Sequence, residues 1–268
     1  MSPQAKRVAI MVFPGTNSED ETARACRAVG LEPELVHWSW DQERARAFDA
    51  YILPGGFAYE DRVRAGAIAA HDRLMGAVRE AAAAGKPVIG ICNGAQVLVE
   101  SGLVPALDGA TEKPQVAFAR NAPSGRYRST HVYVKLVAHP DRCAKALVLE
   151  QGCVIPAWAS HGEGRLAASD AVLERLQAEA RIAFVYCDAH GNAGHGATPN
   201  GSALGAAGLI NDAGNVVALM PHPERDAWTF MHHDGSREAA RGDSGAMLAP
   251  SGGIELFAGL ARALGAAK

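Results

Sequence analysis

Four short apolar runs in the first hundred residues constrain the fold more than any other feature of this chain. They are RVAIMVF (7–13), ELVHW (34–38), AYILPGG (50–56) and PVIGI (87–91). Each is followed by polar or helix-patterned sequence, and none alternates cleanly between apolar and polar residues. Continuous apolar strands joined by helices belong in a parallel sheet covered on both faces. The expected fold is therefore α/β, a flavodoxin-like parallel or mixed sheet flanked by helices. Ser18 with Glu21 offers a capping box for a helix that ends at Gly30, and a second helix is expected over residues 65–84, closed by Gly85.

The second half is less regular. Residues 103–130 read as a long loop with at most brief strands. STHVYVKLVA (129–138), ALVLEQGCVIPAWA (146–159) and RIAFVYCD (181–188) read as strands, and residues 169–180 as a helix capped by Ser169. GLINDAGNVVALM predicts a hairpin turning at Asp212 to Gly214. Residues 226–250 look like a loop insertion before a last helix near Gly253. No repeat or linker divides the chain, so one domain spanning 1–268 is expected.

A formal net charge of −3 provides no basic excess for nucleic acid or an anionic membrane. No apolar run approaches the roughly 18 residues of a membrane-spanning helix, and no signal peptide is expected. Cys26, Cys92, Cys143, Cys153 and Cys187 lack the paired spacing of a zinc site or a disulfide framework, which fits a reducing cytoplasm.

Sites in open parallel sheets form beyond the carboxyl ends of the strands, so the loops after Phe13, Leu53, Ile91 and Met220 are the places to search. After Ile91 stands Gly90-Ile91-Cys92-Asn93-Gly94, the thiol counterpart of the G-x-S-x-G elbow between a strand and a helix. A cysteine ending a core strand is more often a packed thiol. Here the glycine frame and the following helix, whose N-terminus favours thiolate, point to a nucleophile instead.

A thiol nucleophile needs a base and the base an orienting group. MPHPER supplies both. Pro221 and Pro223 disfavour helix at Met220 and His222, and an extended run puts His222 and Glu224 on one side. A turn in which Glu224 pairs with Arg225 or solvent is the alternative. Pro54-Gly55-Gly56-Phe57 can aim backbone N–H groups at an oxyanion, with the Asn93 N–H as second donor, although PGG is also an ordinary turn.

With these elements in this order, the sequence resembles the triad (class I) glutamine amidotransferases. FPGTN (13–17), PGGFAYEDRVRAGAIA (54–69), GICNGAQVLVESGLVP (90–105), HGEGR (161–165), PNGS (199–202) and MPHPER (220–225) are most similar to the branch of that family serving purine biosynthesis. The resemblance implies that Cys92 forms a glutamyl thioester with His222 and Glu224 completing the triad, that Gly56 and Asn93 hold the oxyanion, and that Gln96 helps to seat glutamine. It also places His161, Gly162 and Glu163 over the site as substrate-binding residues. It implies a partner as well: an ATP-dependent synthetase subunit, with ATP and magnesium bound there, and a small accessory subunit. Consistent with this, the chain has no G-x-x-x-x-G-K-[ST] loop, since Gly85-Lys86 is followed by Pro87.

The sequence departs from the family at Glu60, Ala95 and Ser18, where Gly, an aromatic and Cys are usual. None of these is a triad member. RGDSG (241–245) is similar to the stretch around a serine-protease nucleophile, but its continuation argues for coincidence. His232, His233 and Asp234 are metal-ligand types without a further ligand at suitable spacing, so no metal site is expected. A free-standing cysteine hydrolase of the same superfamily, a glutaminase serving another synthetase and a non-catalytic binding protein remain the alternatives.

Overall fold

The computed structural model describes residues 5–111, 113–194, 196–233 and 244–266. The strands are β1 (Arg7–Val12), β2 (Glu32–His37), β3 (Ala50–Leu53), β4 (Val88–Ile91), β5 (Ala117–Arg120), β6 (Arg128–Leu136), β7 (Val154–His161), β8 (Glu163–Ala167), β9 (Ile182–Cys187), β10 (Ala206–Ile210) and β11 (Val216–Leu219). Among the described residues nine form one sheet in the order β2-β1-β3-β4-β11-β10-β9-β6-β7, and β5 pairs with β8 in a separate ribbon. From β2 to β11 the pairing is parallel; from β11 to β7 it is antiparallel. The expected mixed sheet is therefore present, and the hairpin read at Asp212 to Gly214 joins β10 to β11.

Burial follows the apolar pattern. Val8 to Met11, all of β3 and all of β4 are buried on both faces, as the unbroken apolar runs require. Edge strand β2 carries Glu32 and Glu34 and buries only Val36. The principal helices are α1 (Glu19–Ala28), α2 (Met75–Ala83), α3 (Asn93–Glu100), α4 (Asp170–Ala178) and α5 (Glu255–Ala263). Every residue of α3 is buried, so the helix behind the elbow is fixed by packing on all sides. Among the described residues no helix is long and apolar enough to cross a membrane.

Several local expectations are corrected. The helix read over residues 65–84 is interrupted. A single 3-10 turn, Ala69–His71, is followed by extended Asp72, whose carboxylate accepts from the Leu74 N–H (2.8 Å) and the Tyr59 hydroxyl (2.6 Å) before α2 begins. Ser18 precedes α1 but makes no capping hydrogen bond, because its hydroxyl faces Asn17 and accepts from Arg225 Nη2 at 2.8 Å. Ser169 has the extended N-cap backbone without the capping bond. The strand read over 146–159 begins only at Val154: the Ala146 and Leu147 N–H groups bond back to Cys143, and Gly152 makes a turn with positive φ. The RGDSG stretch through Asp243, like Asp234, lies outside the described residues.

Candidate active site

The loops after β1, β3, β4 and β11 converge. Asn17 and Ser18 N–H groups donate to the Gly55 carbonyl (3.1 and 3.2 Å), and Phe57 N–H donates to Gly15 (2.8 Å). The space between them is so narrow that a Cβ on Gly56, at φ +154, would lie 2.6 Å from the Gly15 oxygen. A Cβ on Gly55 would lie 2.3 Å from His222 Cε1, so the glycine pair is what lets the imidazole come in.

The elbow has the form its glycines predict. Cys92 sits at φ 52, ψ −107, a left-handed backbone in a non-glycine residue, directly between β4 and α3. Its own N–H is fixed to Leu219 of β11 (2.8 Å). Gly90 and Gly94 stand where any side chain would collide, with Gly94 O and with Leu53 O respectively. Asn93 opens α3, so its N–H has no carbonyl one turn earlier and stays available to a ligand. Together with Gly56 N–H this leaves the two expected oxyanion donors on adjoining loops.

His222 and Glu224 do meet. His222 Nδ1 and Glu224 Oε1 are 2.5 Å apart, both residues essentially excluded from solvent. The route differs from the fully extended run expected: His222 is extended, but Pro223–Asp226 is a 3-10 turn that swings Glu224 back onto the ring. Burial alone would depress the His222 pKa; the Glu224 carboxylate and then the Cys92 side chain, which also hydrogen-bonds to the ring, outweigh it and hold the value at about 9. The imidazole thus keeps a proton at neutral pH, the state needed to protonate a leaving amine. Burial raises the thiols of Cys26, Cys143 and Cys187 to about 12, 11 and 11, which leaves them un-ionised at neutral pH.

The remaining residues brought together form a wall around the elbow. Gln96 Nε2 donates to the Glu163 carbonyl (2.6 Å) and its Oε1 accepts from Asn93 Nδ2 (2.9 Å), so this side chain ties α3 to the HGEG segment. His161 is buried; its Nδ1 faces Asn121 Oδ1 (3.2 Å), and burial together with nearby His222 lowers its pKa to about 4, leaving it neutral. Gly164 is required there, since a Cβ would fall 2.4 Å from the His161 ring. A cavity of about 250 Å³ opens beside Gln96 and Glu163, bounded also by Arg64, Glu100, Phe118 and Arg120.

Sequence reasoning missed Asn121 and Asp61. Asn121 clamps the His161 and Gly162 carbonyls through Nδ2 (2.8 Å) and N–H (3.0 Å). Asp61 accepts from Asn93 Nδ2 (3.0 Å), and four residues of its loop, Tyr59, Glu60, Asp61 and Val63, have positive φ. The only signal for Asp61 was its place in the motif YEDR. Burial, then the Glu163 carboxylate, raises its pKa from 3.8 to about 6. A carboxyl that binds its proton more tightly when folded contributes less to stability as pH rises from 3.8 through 6. Asp61→Asn is therefore expected to gain stability relative to wild type between about pH 4 and about pH 7. Urea midpoints of the two proteins across that range check this; a flat or inverted difference would contradict it.

Residues 5–258 match the family model described as a CobB/CobQ-like glutamine amidotransferase domain. Phosphoribosylformylglycinamidine synthase subunit PurQ of Methanothrix thermoacetophila is 42% identical over 82% of this chain and 86% of its own length. The corresponding Pyrococcus furiosus subunit is 36% identical over 88% and 96%. The chain belongs to the PurQ family of glutamine amidotransferases. A solved structure of PurLQS from Thermotoga maritima superposes with a TM-score of 0.68 at 28% identity, covering 89% of this chain and 97% of that one. The family assignment accounts for the order of the motifs.

Proposed function

We infer that this chain is the glutaminase subunit of phosphoribosylformylglycinamidine synthase, releasing ammonia from glutamine through a thioester on Cys92. The observation that carries the chemistry is the left-handed Cys92 at the head of α3, in contact with a His222 ring held by Glu224. Cys92 Sγ attacks the side-chain amide carbon of glutamine, and the carbonyl oxygen becomes an oxyanion held by the Gly56 and Asn93 N–H groups. His222 gives its proton to the departing nitrogen, ammonia leaves, and a glutamyl thioester remains. Water then attacks the thioester, His222 takes the water proton, and glutamate departs as the thiolate re-forms. Gln96, His161, Gly162 and Glu163 shape the substrate end, with the cavity beside Gln96 as the entry for the amino-acid group.

Amide-to-amidine conversion of formylglycinamide ribonucleotide needs ATP, which we assign with its magnesium to a synthetase subunit. The likeness to PurLQS supports such a partner, and a small accessory subunit completes the assembly. Free thiols at all five cysteines fit a cytoplasmic setting. Mixing the purified chain with its synthetase, ATP and formylglycinamide ribonucleotide is expected to raise glutamine hydrolysis by about tenfold or more, as binding completes the site. Fast hydrolysis by the chain alone, unchanged by the synthetase, would favour a free-standing hydrolase and sink the coupling.

A further inference from the structure

We propose a second site, a divalent-metal centre formed by His131, His232 and His233 with Asp226 behind them. Taken along the sequence, His232 and His233 lack a further ligand. The fold supplies one from the middle of β6: one ring nitrogen from each of His131, His232 and His233 lies within 4.8 Å of the other two. The rings are already packed together, with centroids 4.3 Å apart for His131 and His233, 4.7 Å for His131 and His232, and 4.6 Å for His232 and His233.

The carboxylate of Asp226 engages one nitrogen of His131 and one of His232, leaving the other nitrogen of each ring for a metal. Its Oδ2 lies 2.7 Å from His131 Nε2, and its Oδ1 lies 3.0 Å from His232 Nδ1. Asp226 is fully buried and is itself held by the Ser251 hydroxyl at 2.9 Å. A carboxylate can only accept, so His131 carries its hydrogen on Nε2 and His232 on Nδ1. That fixes the lone pairs on His131 Nδ1 and His232 Nε2, the nitrogens not turned to Asp226. A buried carboxylate accepting from the far nitrogen of each ligating imidazole is the arrangement that orients histidine for a metal and raises its basicity.

The chemistry of the donor set favours a borderline cation. Three imidazoles without a thiolate suit zinc, nickel, cobalt or copper rather than magnesium or calcium. Tetrahedral zinc holds nitrogens at about 2.0–2.1 Å, which puts them roughly 3.4 Å from one another. One nitrogen of each ring already lies within 4.8 Å of the others, so modest ring movements bring a trio to that spacing. A water would complete the coordination.

The location gives the site a structural consequence. Asp226 is the last residue of the 3-10 turn that carries Glu224, and His131 lies opposite Trp158 in the β6–β7 register. Trp158 in turn exchanges both backbone hydrogen bonds with His222 (3.1 and 2.8 Å), and its indole N–H donates to the Met231 carbonyl at 3.1 Å. A bound metal would therefore fasten the start of the 226–250 insertion to the turn that holds the base.

The test uses the full chain carrying Cys92→Ser, so that the active-site thiol cannot bind metal, stripped with chelator and titrated calorimetrically with zinc. One zinc per chain is expected, with a concentration-dependent rise in Tm. The doubly substituted His232→Ala/His233→Ala protein should bind zinc about tenfold or more weakly, and Asp226→Asn about 10- to 100-fold more weakly. Because Asp226 is buried and its substitution could unfold the turn, cobalt is added to the otherwise unaltered Cys92→Ser chain as an independent measurement. Visible d–d bands without a thiolate charge-transfer band are expected. Absence of stoichiometric zinc, zinc affinity unchanged in the double variant, or a thiolate band would each overturn the assignment.

Discussion

Replacing Cys92 with serine is expected to lower glutamine hydrolysis by about 10³-fold or more, with a change in unfolding free energy of no more than about 1 kcal/mol. The two parts have different causes. The side chain is buried, its Sγ hydrogen bond to the backbone is a long one, to the Ser160 carbonyl at 3.8 Å, and the smaller hydroxyl fits the same space. What serine lacks is the nucleophilicity of sulfur, so the nucleophile is lost while the elbow stays. His222→Ala should cost a similar factor by removing the proton carrier. Glu224→Gln should cost about 10²- to 10⁴-fold, since an amide no longer fixes the ring tautomer. In wild type the alkaline limb of activity should fall near pH 9, where His222 gives up the proton that the leaving ammonia needs. Kinetics of the assembled enzyme and labelling of Cys92 by a glutamine-like diazo-ketone check the set. Rapid turnover by Cys92→Ser, or labelling elsewhere without protection by glutamine, would remove Cys92 from the mechanism.

How much of this was legible in the sequence depends on how local each feature is. The elbow was legible because its requirement is short-range: a strand, a left-handed residue and two glycines must fall within five positions. The parallel half of the sheet was legible for the same reason, since runs buried on both faces leave an unbroken apolar signature in β1, β3 and β4. His222 and Glu224 were correctly paired, yet the turn that joins them was not foreseen, because Pro223 starts a 3-10 turn as readily as it continues a strand. Features set by distant partners were invisible. Asp72 interrupts a helix because Tyr59 reaches it, and Ser18 does not cap α1 because Arg225, from the other end of the chain, takes its hydroxyl. Asn121 looks ordinary in sequence and gains its role only because the fold brings His161, at the end of β7, alongside it.

Gly94→Ala is the substitution expected to damage the fold most for one added methyl, and its sign is set by magnitude. In an unconstrained helix interior, alanine in place of glycine gains about 1 kcal/mol. Gly76, in the first turn of α2, has the room for it, since the nearest atoms to a new Cβ belong to Gln42 at 3.7 Å, so Gly76→Ala should raise Tm by part of that gain. At Gly94 the same methyl would lie 1.9 Å from Leu53 O and 2.5 Å from Leu53 C. Those are backbone atoms of β3, buried in the middle of the sheet, and they cannot rotate away. Restoring ordinary contact requires α3 and β3 to part by roughly 1.5 Å, and overpacking of that kind costs about 1–3 kcal/mol or more, outweighing the helix gain. The loss extends to chemistry, because Leu53 leads into Gly55-Gly56 and α3 begins at Asn93: the wedge separates the two oxyanion donors and moves Cys92 relative to His222. A misplacement near 1 Å costs about 10²-fold in rate even when the protein folds. Urea midpoints for both variants and glutaminase rates in the assembled enzyme test the contrast, and a Gly94→Ala protein as stable and active as Gly76→Ala would show that the elbow does not press on β3.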